Sequence, residues 1–97
     1  MVTRFWPLIR SFADKKTSTL WSGSAVAGFR AFRAQAERKL AILEAAGSLD
    51  DLRGLPGNRL ELLKGDRKGQ HSIRINDQWR LCFRWHEGDA YDVEIVD

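Results

Sequence analysis

Between residues 71 and 96 apolar and polar positions alternate in three runs. His71, Ile73 and Ile75 share one face of the first, Trp79, Leu81, Phe83 and Trp85 one face of the second, and Tyr91, Val93 and Ile95 one face of the third. A period of two marks a half-buried strand. Turn signals separate the runs, Asn76-Asp77 and Glu87-Gly88-Asp89. The pattern predicts a β-meander. Upstream the period changes. Phe29, Phe32, Ala36, Leu40 and Leu43 recur at steps of three and four, which places them on one face of a helix over Phe29–Ala46. Gly47 suits the residue just past its end. Ser48 can cap a short turn through Leu52, with Asp50 and Asp51 near its positive end.

The remaining segments are shorter. Leu8–Phe12 reads as an opening strand, Asp14–Ser22 as a short helix with Asp14 as its N-cap, and Gly23–Gly28 as a loop. Pro56-Gly57-Asn58 breaks the chain. Leu60–Leu63 is an apolar run before a glycine-bounded loop, Gly65-Asp66-Arg67-Lys68-Gly69. Met1–Pro7 reads as an extension. The expectation is a single α+β domain over residues 1–97, helices packed on an antiparallel sheet. Trp79, Leu81, Phe83, Val93 and Ile95 should be buried with Phe32, Leu40 and Leu43.

Keeping the apolar sets on one face fixes the register. Ile75 must oppose Trp79 and Ile73 must oppose Leu81, which requires a three-residue loop, Asn76-Asp77-Gln78. The polar face then pairs Arg74 with Arg80, Cys82 with Glu94, and Arg84 with Asp92. Arg84–Asp92 is a favourable cross-strand pair. Arg74–Arg80 is not, because like charges directly opposite destabilise a sheet. Either both side chains splay into water or reach Glu94, or an anion such as a phosphate sits between them.

Composition sharpens this picture only in part. The 97 residues carry a net charge of +3, mildly basic overall. The charge is unevenly placed: Arg59 to Arg84 holds seven basic residues against three acids, whereas Trp85 to Asp97 holds five acids and no Lys or Arg. Lys64, Arg67 and Lys68 either add to the Arg74–Arg80 face or form an ordinary solvated loop. A single cysteine, Cys82, excludes an internal disulfide, fits a reducing cytoplasm and is expected to pack rather than react. Only two histidines are present, His71 and His86, without metal-ligand spacing, so no cofactor is expected. No apolar run is long enough to cross a membrane. RNA cleavage needs none of these parts. The attacking 2′-hydroxyl belongs to the RNA, and protein need only take its proton, stabilise charge on phosphorus and protonate the leaving oxygen. Glu61, three residues before Lys64, is a candidate base or an ordinary surface glutamate.

The stretch from Leu63 to Phe83, LKGDRKGQHSIRINDQWRLCF, closely resembles the core of HigB-type toxins of the RelE superfamily, the plasmid-maintenance killer proteins. Val93-Glu94-Ile95-Val96-Asp97, Ile9-Arg10-Ser11-Phe12 and Ala36-Glu37-Arg38-Lys39-Leu40 fit as well, so the resemblance covers nearly everything after Pro7. It implies a RelE-like fold and a cytoplasmic, ribosome-dependent endoribonuclease that cuts mRNA without a metal. By position it implies that Lys64 and Arg80 hold or neutralise the scissile phosphate and that Asp97 is the acidic residue of the terminal strand. Glu61 stands where some members have histidine. Arg67, Lys68, His71 and Arg74 are implied RNA contacts. The implied partners are the ribosome with its mRNA and a HigA-like antitoxin. The antitoxin would carry a helix-turn-helix and link the toxin indirectly to operator DNA.

Family members typically continue past the equivalent of Asp97 with Tyr-His, which belong to the catalytic set. A chain ending at Asp97 is therefore expected to be inactive or weakened. Two alternatives to an active ribonuclease stand beside this reading. One is a ParE-like toxin that binds DNA gyrase without cutting nucleic acid, and the other is a module that only binds its antitoxin.

Overall fold

A computed structural model describes residues 8–97; Met1–Pro7, expected to be an extension, lies outside them. The second half is a four-stranded antiparallel meander of β1 (Glu61–Leu62), β2 (His71–Arg74), β3 (Arg80–His86) and β4 (Asp89–Val96), in the spatial order β1-β2-β3-β4. The first half supplies α1 (Lys15–Trp21), α2 (Arg33–Ala45) and α3 (Leu49–Arg53). The apolar sets meet between the two layers. Leu20, Phe29, Phe32, Ala36, Leu40, Leu43 and Leu52 pack against Ile73, Ile75, Leu81, Phe83, Val93 and Ile95, all buried. The expected core is present, except that Trp79 is only partly buried and packs at its margin. This is the α+β arrangement expected of a RelE-like fold.

Local chemistry explains the helix ends. The Asp14 carboxylate accepts the Thr17 N–H at 3.4 Å and starts α1. Ser48 Oγ accepts the Asp51 N–H at 3.2 Å and starts α3. The single helix expected over Phe29–Ala46 is instead two pieces, a 3₁₀ segment over Ala27–Phe32 and then α2. The aromatic residues account for the break. In a 3₁₀ turn, residues three apart eclipse, which sets the Phe29 and Phe32 rings side by side at 5.5 Å. Both then meet Trp79, at 5.8 and 4.8 Å between centroids.

The register across β2 and β3 is as the pattern requires, with Ile73 opposite Leu81 and Arg74 opposite Arg80. The loop Asn76-Asp77-Gln78 is closed by the Asn76 side chain, whose Oδ1 accepts the N–H groups of Gln78 and Trp79 at 2.9 and 2.7 Å. Between β3 and β4, Cys82 does oppose Glu94. Beyond that point the expectation fails. A bulge shifts the ladder, and Arg84 opposes Tyr91 rather than Asp92. Asp92 takes a left-handed backbone, φ 52°, so that β4 spends an extra residue there. Tyr91 therefore leaves the face it was expected to share with Val93 and Ile95, and Ala90 is buried instead.

The sheet's two edges are treated differently. The N-terminal segment runs beside β4 as two isolated parallel bridges, Ile9 to Ala90 and Phe12 to Val93, rather than as the continuous strand expected over Leu8–Phe12. Glu44 of α2 pins its start by accepting the N–H groups of Leu8 and Ile9 at 2.7 and 3.0 Å. Buried Thr17 accepts the Ile95 N–H at 3.0 Å and extends the cover of this edge. At the opposite edge β1 is two residues long, and Leu62 is exposed.

Candidate functional site

Because successive strand residues point to opposite faces, Arg80, Cys82, Arg84 and His86 leave the core as Leu81, Phe83 and Trp85 enter or flank it. The outward face is polar without being loosely solvated. Ser72 and Cys82 are fully buried on it. Arg67 folds back from the β1–β2 loop and pairs with Glu94 at 3.1 Å, while also donating to Gln70 at 3.1 Å. Burial pushes the Cys82 thiol up from its ordinary range, against the lowering influence of Arg67. That leaves it protonated and non-nucleophilic.

Arg80 is the most constrained cation of this face. Its Nε donates to Ser72 Oγ at 2.8 Å and its Nη2 donates to the Arg59 carbonyl at 3.1 Å. Arg59 adopts a left-handed backbone, φ 46°, directly after the Pro56–Asn58 turn. Glu61 of β1 lies 3.7 Å from Nη2. Glu61 opposes Ser72, which opposes Cys82, and Arg80 reaches Ser72 diagonally from two residues before Cys82, so Glu61, Ser72 and Arg80 meet across three strands. Two bonds orient the guanidinium, and its Nη1 edge makes no hydrogen bond or ion pair among the described residues. This edge can meet an anion such as a phosphate.

The like-charged Arg74 and Arg80 resolve their opposition by splaying. Arg74 pairs with Asp77 of the adjoining loop, and Arg80 turns the other way toward β1. Neither reaches Glu94, which belongs to Arg67. Arg84 does pair with Asp92, at 3.4 Å, but across the bulge rather than as a directly opposed residue. Asp97 follows Val96, the residue opposite Arg80, and its carboxylate accepts from Gln78 Nε2 at 3.0 Å. Lys64 and Lys68 are exposed, and neither has an ion-pair partner among the described residues. With Leu62, Leu63, Gly65 and Gly69 they line a groove of about 460 Å³.

His71 is separated from the others. Its ring lies against Phe83 at 5.9 Å on the helix-facing side, and burial with the nearby Arg53 lowers its pKa. The structure thus gathers Glu61 and Arg80 into one contact and sets Arg67 and Asp97 beside them. Arg74 lies at one flank, and His71 lies on the far face. Sequence reasoning missed Ser72 and Arg59, which hold Arg80. Ser72 could have been read from its place beside Arg80 on the polar face. A carbonyl aimed by a left-handed arginine carries no such signal. Among the described residues no three His, Cys, Asp or Glu side chains are placed to hold a metal ion, and no helix is long and apolar enough to cross a membrane.

A family model described as the RelE-like toxin of type II toxin-antitoxin system HigB matches residues 8–97. The chain belongs to this HigB family of RelE-like toxins. Among known proteins it is similar to Toxin HigB-1 of Vibrio cholerae, 57% identical over 58 residues, which cover 60% of this chain and 61% of that one. An uncharacterized protein of Haemophilus influenzae is 38% identical over 58 residues, 60% of this chain and 57% of that one. The matches thus span about three fifths of the length of these two relatives. Endoribonuclease HigB of Proteus vulgaris is 30% identical over 91 residues, 93% of this chain and 98% of that one.

Proposed function

We propose that this HigB-family protein is the toxin of a toxin–antitoxin pair and acts as an endoribonuclease on mRNA in the ribosome. Membership of the family and the name of the Proteus relative support the class of activity. The observation that carries the chemistry is Arg80, aimed by Ser72 and the Arg59 carbonyl, with a carboxylate beside it. In this reading a phosphate docks on the free edge of Arg80, and Lys64 adds charge from the loop. Glu61 takes the proton of the RNA 2′-hydroxyl. The freed oxygen forms a bond to phosphorus, and the bond to the 5′-oxygen breaks. That oxygen takes a proton from a water that the open face admits, and the hydroxide left behind takes the proton back from Glu61. The products are a 2′,3′-cyclic phosphate and a 5′-hydroxyl. The Arg80–Glu61 ion pair is long and Glu61 is exposed, so it is worth little and yields readily to the phosphate.

The reaction as written uses no metal. Its natural compartment is the cytoplasm, where ribosomes are. Arg67, Lys68 and Arg74 flank the phosphate as RNA contacts, and Asp97 supports the end of β4 next to Arg80. The regulator in this reading is a HigA-like antitoxin with a helix-turn-helix that brings the pair to operator DNA.

Cleavage of mRNA on programmed ribosomes tests the proposal, with and without a chelator. Arg80→Ala should lower kcat about 10²–10³-fold, the size of one preorganised donor. Glu61→Gln should lower it about 10²-fold. Full-rate cleavage by Arg80→Ala would remove the site. Growth arrest accompanied by DNA breaks and intact mRNA would favour a gyrase-binding toxin instead.

A further inference from the structure

The bulge in β4 is docked to the N-terminal segment, the Asp92 N–H donating to Ser11 Oγ at 2.9 Å, and it also re-aims a side chain. Strict alternation would bury Tyr91 with Val93 and Ile95. Instead Asp92, not a glycine, adopts φ 52°, and the residue turned inward is Ala90. Bulges re-aim side chains, and strained backbone gathers at functional sites. Here the side chain re-aimed is the chain's single tyrosine, now opposite Arg84 on the polar face. Its ring meets His86 edge-on, with centroids 6.4 Å apart and planes at 63°. Arg84, His86, Tyr91 and Asp92 line a groove of about 320 Å³.

We propose that Tyr91, His86 and Arg84 form a subsite for one unpaired nucleotide of RNA, its base stacked on Tyr91 and its phosphate held by Arg84. This rests on the ribonuclease reading of the Arg80 site and extends it along β3. An aromatic face beside a cation is the arrangement by which proteins hold single-stranded nucleic acid without a fixed sequence. Arg84 is available for a phosphate. Its pairing with Asp92 is made between two half-exposed groups and is readily exchanged. The same guanidinium reaches the β1–β2 loop, where a Cβ on Gly69 would come within 3.0 Å of Nη1. Gly69 also lines the groove of Lys64 and Lys68. The two grooves therefore adjoin at Arg84, giving a run of cations from the loop to the tyrosine.

The unpaired nucleotide could belong to the message or to ribosomal RNA, and the test separates them. The full chain is titrated by anisotropy with a labelled 2′-O-methyl single-stranded oligonucleotide, which lacks the attacking hydroxyl, and separately with ribosomes free of mRNA. Tyr91→Ala should bind the oligonucleotide about tenfold more weakly, the loss of one base–aromatic stack, while Tyr91→Phe should bind like the parent. Arg84→Gln should also weaken binding and flatten its salt dependence. In cleavage, Tyr91→Ala should raise KM and leave kcat unchanged. A defect seen only with ribosomes would support the subsite and assign its base to ribosomal RNA. If Tyr91→Ala and Arg84→Gln bind both probes like the parent, the subsite is wrong, while the ribonuclease reading still stands or falls with Arg80→Ala. If the parent binds neither probe, both readings fail.

Discussion

β3 presents two faces that solve opposite problems. Leu81 and Phe83 on one side are fully buried, and Trp85 packs beside them. Arg80, Arg84 and His86 on the other are each held by at least one partner, yet are partly or largely open to water. The inner face needs only shape and apolarity, so hydrophobic alternation predicts it. In the proposed function the outer face needs cations that are held in place yet remain open to an anion. That requires partners from elsewhere in the chain: Ser72 on β2, the Arg59 carbonyl before β1, and Asp92 across the bulge. Stability and activity should therefore respond separately to changes on the two faces.

The largest break is on the inner face. Phe83 is fully buried and touches both Trp85 and His71. Phe83→Ala should cost about 3–5 kcal/mol by lost burial and the cavity left behind. Chemical denaturation should show the midpoint falling sharply, with activity lost only because the fold is lost. A variant that keeps its midpoint would show that this face is not the core.

Ser72→Ala cuts closer to the division between the faces. Ser72 is fully buried, yet its hydroxyl serves Arg80. The substitution should cost about 1.5–3 kcal/mol, the range for a hydrogen bond to a charged group. It should also lower kcat with little change in KM, because a loosened guanidinium still binds phosphate but no longer points at it. An unchanged kcat would mean that Arg80 needs no positioning.

Much of this division was legible in the sequence. The alternation of Ile73, Leu81 and Ile95 gives the register of the central strands, since a slip by one residue would expose the whole apolar set. The resemblance around Leu63–Phe83 puts Arg80 and Lys64 forward as candidates, and the structure adds the partners of Arg80. Three features were not legible. The helix over Phe29–Ala46 splits because Phe29 and Phe32 both seek Trp79, a contact with a residue far away in sequence. The bulge hides in Asp92, an aspartate whose left-handed backbone no local pattern announces. The partners of Arg74 and Arg67 depend on loop paths that periodicity cannot give.

Asp92 offers a finer test. A β-branched residue at φ 52° is penalised by its Cβ, whereas glycine is not. Asp92→Val should destabilise the protein by about 1–2 kcal/mol, and Asp92→Gly should be close to neutral. Thermal melts of the two variants decide it. Equal stability would mean that the bulge relaxes and Tyr91 returns to the inner face.

The smallest expected effect concerns pH and the one candidate residue on the inner side. His71 stacks on Phe83, and burial together with Arg53 lowers its pKa from the ordinary value of 6.5. The neutral imidazole is thus favoured in the folded state. In the window below pH 6.5, and down to the lowered folded pKa, the unfolded chain binds a proton that the folded chain refuses. Stability contributed by His71 is therefore complete above that window and is lost as pH falls through it. Replacing His71 with Gln should flatten the fall in melting temperature between neutral pH and about pH 5, relative to the parent. The two proteins should also keep the same salt dependence of RNA binding, because His71 does not share a face with Arg80 and Arg84. A shallower salt slope in His71→Gln would place the imidazole on the RNA side after all and erase the separation of the two faces at this position.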